Sequence, residues 1–114
     1  MAECLFCRIA AGEIPAKIVF RDEKAVAFED INPQAPVHVI IIPKKHIPTL
    51  LDLTDEDQSI MGYLYVVANH IAADKSLTES GFRLVANCKE SAGQEVFHVH
   101  IHMLGGREFG WPPG

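Results

Sequence analysis

The residues best suited to chemistry are three histidines that alternate with apolar residues in the segment His98-Val99-His100-Ile101-His102-Met103. Side chains alternate between the two faces of a strand, so a strand here would place the three imidazoles on one face. Neutral imidazole binds zinc, and it also attacks phosphorus and exchanges protons near neutral pH. Three of the six histidines on one face argue against an ordinary polar surface. The pattern alone fits a metal site and a catalytic site equally well.

Hydrophobic periodicity predicts the elements that position this segment. Apolar spacing predicts a short helix over residues 3–11, with Leu5, Phe6 and Ile9 on one face. A second, longer helix follows a capping box at Thr54 and Asp57 and fades near Lys75. Predicted strands cover residues 18–20, 25–28, 37–42, 82–86 and 96–104. This order predicts a single α+β domain over residues 1–114, with about five mostly antiparallel strands and two helices.

Composition and charge limit what the chain can bind. The 114 residues carry a net charge of −5, which is unfavourable for general binding to nucleic acid or to a membrane surface. Any phosphate must therefore be held by local donors, and the small-residue turn Ser91–Gln94 can point N–H groups at an anion. With no secretory signal and an odd number of cysteines, we expect a cytoplasmic protein without a disulfide framework.

The chain resembles the histidine triad family of nucleotide hydrolases and transferases, and in particular its nucleoside phosphoramidate hydrolase branch. The family signature of three alternating histidines and two apolar residues matches His98–Leu104. Other matches cover nearly the whole chain, and the most specific are residues 13–16, 30–38, 43–46, 93–94, 104–107 and 111–114.

The resemblance implies a role for each matched residue. His100 would be the nucleophile and carry a nucleotidyl group, while His102 would contact the phosphate and His38 would pass protons to the leaving amine. Asp30 would bind the ribose hydroxyls. Contacts near the sugar and phosphate would come from Asn87, Gly93, Gln94, Glu95 and Val96, and the base pocket from Phe6, Ile9, Ile14, Phe28 and Ile31. Trp111 would reach the partner's site in a homodimer.

Two features depart from many members of this branch. Glu95 stands where animal members of this branch usually have serine and bacterial-looking members often have glutamate, so the resemblance implies activity with an altered leaving-group preference. Cys4 and Cys7 could be a redox pair, a disulfide, zinc ligands or buried filler. In zinc-bearing relatives such a pair joins two histidines that match His46 and His98, which implies a structural zinc site with four ligands.

The leading function is hydrolysis of a purine nucleoside phosphoramidate of AMP or GMP type, with no organic cofactor. A nucleotide-binding regulatory module and a dinucleoside polyphosphate hydrolase remain alternatives.

Overall fold

The structure is a computed structural model that describes residues 4–114. Its centre is one five-stranded sheet in the order β1-β2-β3-β5-β4, and every neighbouring pair is antiparallel. The strands are β1 (Ile18–Arg21), β2 (Ala25–Glu29), β3 (Val37–Pro43), β4 (Phe82–Val85) and β5 (Ile101–Gly105). The helices are α1 (Leu5–Ala10) and α2 (Gln58–Asp74). The predicted α+β class is confirmed.

One face of the sheet forms the main core against α2. The apolar positions of α2 recur at helical spacing, so Leu64, Val67 and Ile71 all point at the sheet. The central strands meet them with alternate residues, among them Ile41 of β3 and Met103 of β5. The structure places the predicted capping box of Thr54 and Asp57 on a 3-10 turn that leads directly into α2.

The opposite face of the sheet carries a smaller apolar cluster and the candidate site. Phe6 and Ile9 of α1 pack there on Phe28 and on Ile40 of β3. His38 lies two residues before Ile40 on β3, so the two side chains share one face of the sheet. His102 pairs with Ile40 on the neighbouring strand β5, so its side chain lies on that same face, toward α1. Of the three apolar residues predicted to share a face of α1, Phe6 and Ile9 are buried and Leu5 is 44% exposed.

The last strand is shorter than predicted. β5 begins at Ile101, not at residue 96, although the histidines still lie on the side opposite the main core. The Val99 N–H donates to the carbonyl of Ile47 at 2.6 Å, outside any strand pair. The ring of His98 points into a cluster with two cysteines, and these tertiary contacts replace the ladder that the alternating pattern predicts. Within residues 4–114, no helix combines the length and hydrophobicity needed to cross a membrane.

Candidate active site and metal centre

A cavity of about 430 Å³ opens on the α1 side of the sheet, between β3, β5 and the loop that follows β4. Nine residues expected from the sequence line it: Phe6, Asp30, His38, Asn87, Gly93, Glu95, Val96, His100 and His102. Sequence reasoning missed Asn32, Gln34 and Ile40. Ile40 was detectable, because it lies two residues after His38 on the same strand and so shares its face.

His100 is held as a neutral imidazole with one nitrogen occupied. It is buried, and its Nδ1 lies 2.7 Å from the carbonyl oxygen of His98, so Nδ1 carries the proton and donates it. Burial lowers the pKa of His100, which keeps the ring neutral near pH 7. The ring of Phe6 packs edge-on against it, with centroids 5.0 Å apart. Nε2 is therefore left unprotonated, as a nucleophile requires.

His38 and His102 form a hydrogen-bonded relay with a defined direction. The backbone N–H of Gln34 donates to His38 Nδ1 at 3.0 Å, so a neutral His38 carries its proton on Nε2. That Nε2–H points at His102 Nδ1, 2.9 Å away, with an Asp30 carboxylate oxygen at 3.4 Å. Since Nδ1 of His102 accepts, its own proton lies on Nε2. Burial, with the nearby His100 and His38, lowers the pKa of His102 to about 4.

The same geometry argues against a metal on the relay. Asp30, His38 and His102 each present a ligand atom, and these three atoms lie within 4.8 Å of one another. A metal on His38 Nε2 would require the ring proton to sit on Nδ1. That position is already faced by the N–H of Gln34. The three side chains are better suited to hold protons.

The loop that follows β4 is fixed by Gln94. This side chain is 4% exposed: its Oε1 accepts from the Lys89 N–H at 2.7 Å, and its Nε2 donates to the carbonyls of Pro48 at 2.7 Å and Val96 at 3.2 Å. Lys89 adopts a left-handed φ of 68°, which is strained for a residue with a Cβ. The side chain of Gln94 thus turns inward and holds the loop, while Gly93 and Glu95 line the cavity.

Several residues expected at the nucleotide do not line this cavity. Ile9 and Phe28 pack in the apolar cluster behind Phe6, and Ile14 packs against the edge of that cluster. Ile31 is fully exposed and Trp111 is 83% exposed, so neither is held against the cavity within this chain. Asp30 caps a turn by accepting the Asn32 N–H at 2.8 Å, and it also lines the cavity.

Four side chains converge at a second centre between α1 and the sheet. Cys4, Cys7, His46 and His98 present ligand atoms that all lie within 4.8 Å of one another. The Nδ1 atoms of His46 and His98 are 3.3 Å apart, and His98 Nδ1 lies 3.3 Å from Cys4 Sγ and 3.5 Å from Cys7 Sγ. Tetrahedral zinc with ordinary bond lengths separates two nitrogens by about 3.3 to 3.4 Å and a nitrogen from a sulfur by about 3.6 Å.

Protonation at this centre also fits a metal. His98 Nε2 lies 2.8 Å from the carbonyl of Pro43 and donates to it, which leaves Nδ1 with a free lone pair aimed at the cluster. Burial, and secondarily His46 and His100, lowers the pKa of His98, so the ring is neutral. Without a cation, burial and the adjacent Cys4 raise the pKa of Cys7 to about 11, and a bound metal ion would offset this rise by stabilising the thiolate. The lone pair of His98 Nδ1 faces the Nδ1 of His46 and the sulfurs of Cys4 and Cys7. A cation bound by all four atoms would satisfy this lone pair better than any single hydrogen bond.

His98 connects the two centres. Its ring belongs to the cysteine cluster, while its carbonyl holds the ring of His100. Cys4 also caps α1, accepting the Cys7 N–H on its sulfur at 3.3 Å, and α1 carries Phe6 against His100. Anything that orders the cluster therefore also orders the surroundings of His100.

The fold and the site define a class of protein: a small α+β domain with a triad of alternating histidines that leads into its last strand, two of which line an open cavity. Comparison with known proteins agrees with that class. A family model described as the HIT domain matches residues 11–109. An uncharacterized HIT-like protein from Synechocystis sp. is 51% identical over 115 residues, with all of both chains covered.

Solved structures are equally similar. The crystal structure of a HIT family hydrolase from Legionella pneumophila Philadelphia 1 shares 52% identity at a TM-score of 0.96, covering 98% of this chain and 100% of that chain. A histidine triad protein from Clostridium difficile shares 43% identity at a TM-score of 0.94, with 96% of each chain covered. This chain belongs to the HIT family, which confirms the family named from its sequence; the phosphoramidate branch stays a prediction.

Proposed function

We propose that the protein hydrolyses purine nucleoside phosphoramidates, such as amides of AMP, through a nucleotidyl group carried on His100. The observation that supports this most strongly is the state of that ring. The Nδ1–H of His100 donates to the His98 carbonyl, and the His100 side chain lines the cavity, so its free Nε2 is available for attack. A covalent intermediate divides one difficult displacement into two easier ones.

In the first step, His100 Nε2 attacks phosphorus and the phosphorus–nitrogen bond to the amine breaks. With the anionic substrate bound, the relay carries one proton taken from solvent, so His102 gives its Nε2 proton to the departing nitrogen and returns to a neutral ring, with Asp30 beside His38 as the counter-charge. In the second step, water attacks phosphorus and the bond to His100 breaks. The water proton returns to His102, so the nucleotide leaves and both rings regain their starting states.

The charge of the cavity favours a substrate with one negative charge. Among the described residues that line it, Asp30 and Glu95 are acidic and there is no lysine or arginine. A nucleoside phosphoramidate carries a single phosphate charge, whereas a dinucleoside polyphosphate carries several. Repulsion from two carboxylates disfavours the second class. We expect Glu95 to alter the preference for the leaving group.

The alternative is a regulatory module that binds nucleotide without turnover. The relay favours the enzyme, because a binding site needs no proton donor beside an unprotonated nucleophile. The test is steady-state hydrolysis of an adenosine phosphoramidate that has a fluorescent amine leaving group. His100→Ala should lower kcat by on the order of a thousandfold or more and still bind AMP, while His70→Ala, on the exposed side of α2, should match wild type. Wild-type protein that binds AMP without turnover would support the regulatory module instead.

We also propose that Cys4, Cys7, His46 and His98 hold a structural zinc ion. The convergence of their ligand atoms and the engaged Nε2 of His98 support this assignment. Two thiolates and two imidazoles would close the coordination sphere, so zinc would stabilise the fold and supply no open position for substrate. No step of the hydrolysis passes through it.

A homodimer is the proposed assembly. The sheet has two edges, β1 and β4, at which a second sheet can pair. The helix α2 has no charged side chain from Gln58 to Ala73, and its exposed side carries Tyr65 and Val66. A second copy would cover this surface and offer a place for Trp111. A monomer at micromolar concentration in light scattering would contradict the proposal. The protein's cytoplasmic location also stays a prediction.

A further inference from the structure

The segment that follows β5 folds back onto the loop between β2 and β3. Gly106 adopts a φ of +91°, and a Cβ at this position would come within 2.9 Å of the Pro36 ring. Both constraints favour glycine. This close turn places the next residue, Arg107, beside the loop that begins at Asp30.

Arg107 contacts the residue whose backbone N–H sets the relay. Its Nε donates to the carbonyl of Gln34 at 3.0 Å, and the N–H of the same Gln34 donates to His38 Nδ1 at 3.0 Å. The guanidinium is itself fixed, because Nη1 donates to the Glu108 carbonyl at 2.9 Å and the group lies 4.3 Å from the centre of the Phe109 ring. One residue of loop is thus clamped between an arginine and a relay histidine.

We propose that Arg107 is a positioning residue for proton delivery to the leaving group; this inference rests on the proposed phosphoramidate hydrolysis. It acts through Gln34. If Gln34 shifts without Arg107 on its carbonyl, its N–H turns away, and His38 Nδ1 loses its donor and can take the ring proton itself. His38 Nε2 then becomes an acceptor, His102 must place its proton on Nδ1 to donate back, and the proton facing the leaving group is lost.

The test compares two substrates that differ in their need for a proton. An alkylamine phosphoramidate of adenosine requires protonation of its leaving nitrogen, whereas the p-nitrophenyl ester of AMP releases a stable anion. Arg107→Ala should lower kcat for the amide by about tenfold, a fraction of the range for general acid catalysis, and change kcat for the ester by less than about twofold.

Arg83→Ala is the matched control. Arg83 also anchors the C-terminal segment, donating to the Gly110 carbonyl at 3.0 Å and lying 5.2 Å from the centre of the Phe109 ring, but its contacts do not include Gln34. It should change neither rate by more than about twofold. Light scattering should give both variants the wild-type size, so that a change in assembly is not mistaken for a change in the relay.

A second measurement determines which nitrogen of His38 carries the proton, and it requires no turnover. Nitrogen-15 shifts of the His38 ring should show the proton on Nε2 in wild type and on Nδ1, at least in part, in Arg107→Ala. Equal losses on both substrates, an unchanged amide rate, or the same His38 tautomer in both proteins would overturn the inference. Wild type that hydrolyses neither substrate would instead overturn the proposed function, whatever the tautomer of His38.

Discussion

Replacing Gln94 by glutamate tests how the loop that follows β4 is held. The two side chains have the same shape, but an ionised carboxylate cannot donate a hydrogen bond. In the native protein the Gln94 amide donates to the carbonyls of Pro48 and Val96, and its oxygen accepts from Lys89. The substitution keeps the last contact and removes the first two.

The magnitude follows from the groups left unpaired. Leaving a buried acceptor without a partner costs about 1 to 3 kcal/mol. The bonds to Pro48 and Val96 are only partly buried, so the lower end applies to each, and the two losses should lower the free energy of unfolding by about 2 kcal/mol at pH 7. Burial favours the neutral acid and raises its native pKa above the value in the unfolded chain. Stability should therefore recover as pH falls toward 5, because a protonated carboxyl can donate to one carbonyl.

Urea denaturation at pH 7 and pH 5 measures both effects. Gln58→Glu is the matched control: Gln58 is exposed at the first residue of α2, where a negative charge suits the helix N-terminus, and the change should stay within about 0.5 kcal/mol. Both variants share the acid sensitivity of wild type. Subtracting the free energy of unfolding of one variant from that of the other at each pH removes this common contribution. If Gln94→Glu unfolds at the same urea concentration as Gln58→Glu, the loop is not held as described.

Three further predictions concern the metal centre, the relay and the assembly. Elemental analysis should find about one zinc per chain, lost in the Cys4→Ser, Cys7→Ser double variant but retained in Cys88→Ser; a metal-free wild type that folds normally would contradict the site. The depressed pKa of His102, whose ring is faced by His100, His38 and Asp30, means that the folded state resists its protonation, so stability should fall as pH drops from about 6.5 toward 4. His102→Asn should weaken this dependence in denaturation curves, and an identical dependence would contradict the assignment. Tyr65→Asp, on the exposed face of α2, should weaken the proposed dimer in light scattering more than Asp74→Asn at the end of that helix, and equal association would remove this face from the interface.

Much of the fold could be predicted because its patterns are local. The β-branched run in β3 and the helical spacing in α2 reflect burial against one face, which a sequence displays directly. The common side of the three histidines follows from the same alternation. The start of β5 did not follow, because the contact of Val99 with Ile47 and the capture of the His98 ring are tertiary.

The site was less predictable than the fold. Nine of its twelve lining residues could be named from the resemblance, but the inward turn of Gln94 depends on a carbonyl far away in sequence, that of Pro48. Gln34 acts through its backbone, which carries no side-chain signal at all. The resemblance alone assigns Ile31 to the base pocket, and in the structure its side chain is exposed.

We propose that His100 carries the nucleotide during turnover. Intact-protein mass spectrometry tests this directly, after rapid acid-free quenching of wild type mixed with an adenosine phosphoramidate and with peptide mapping of the product. We expect a transient added mass of one adenylyl group that maps to His100 and is absent from His100→Ala. Turnover without any such adduct, or an adduct on another residue, would contradict it.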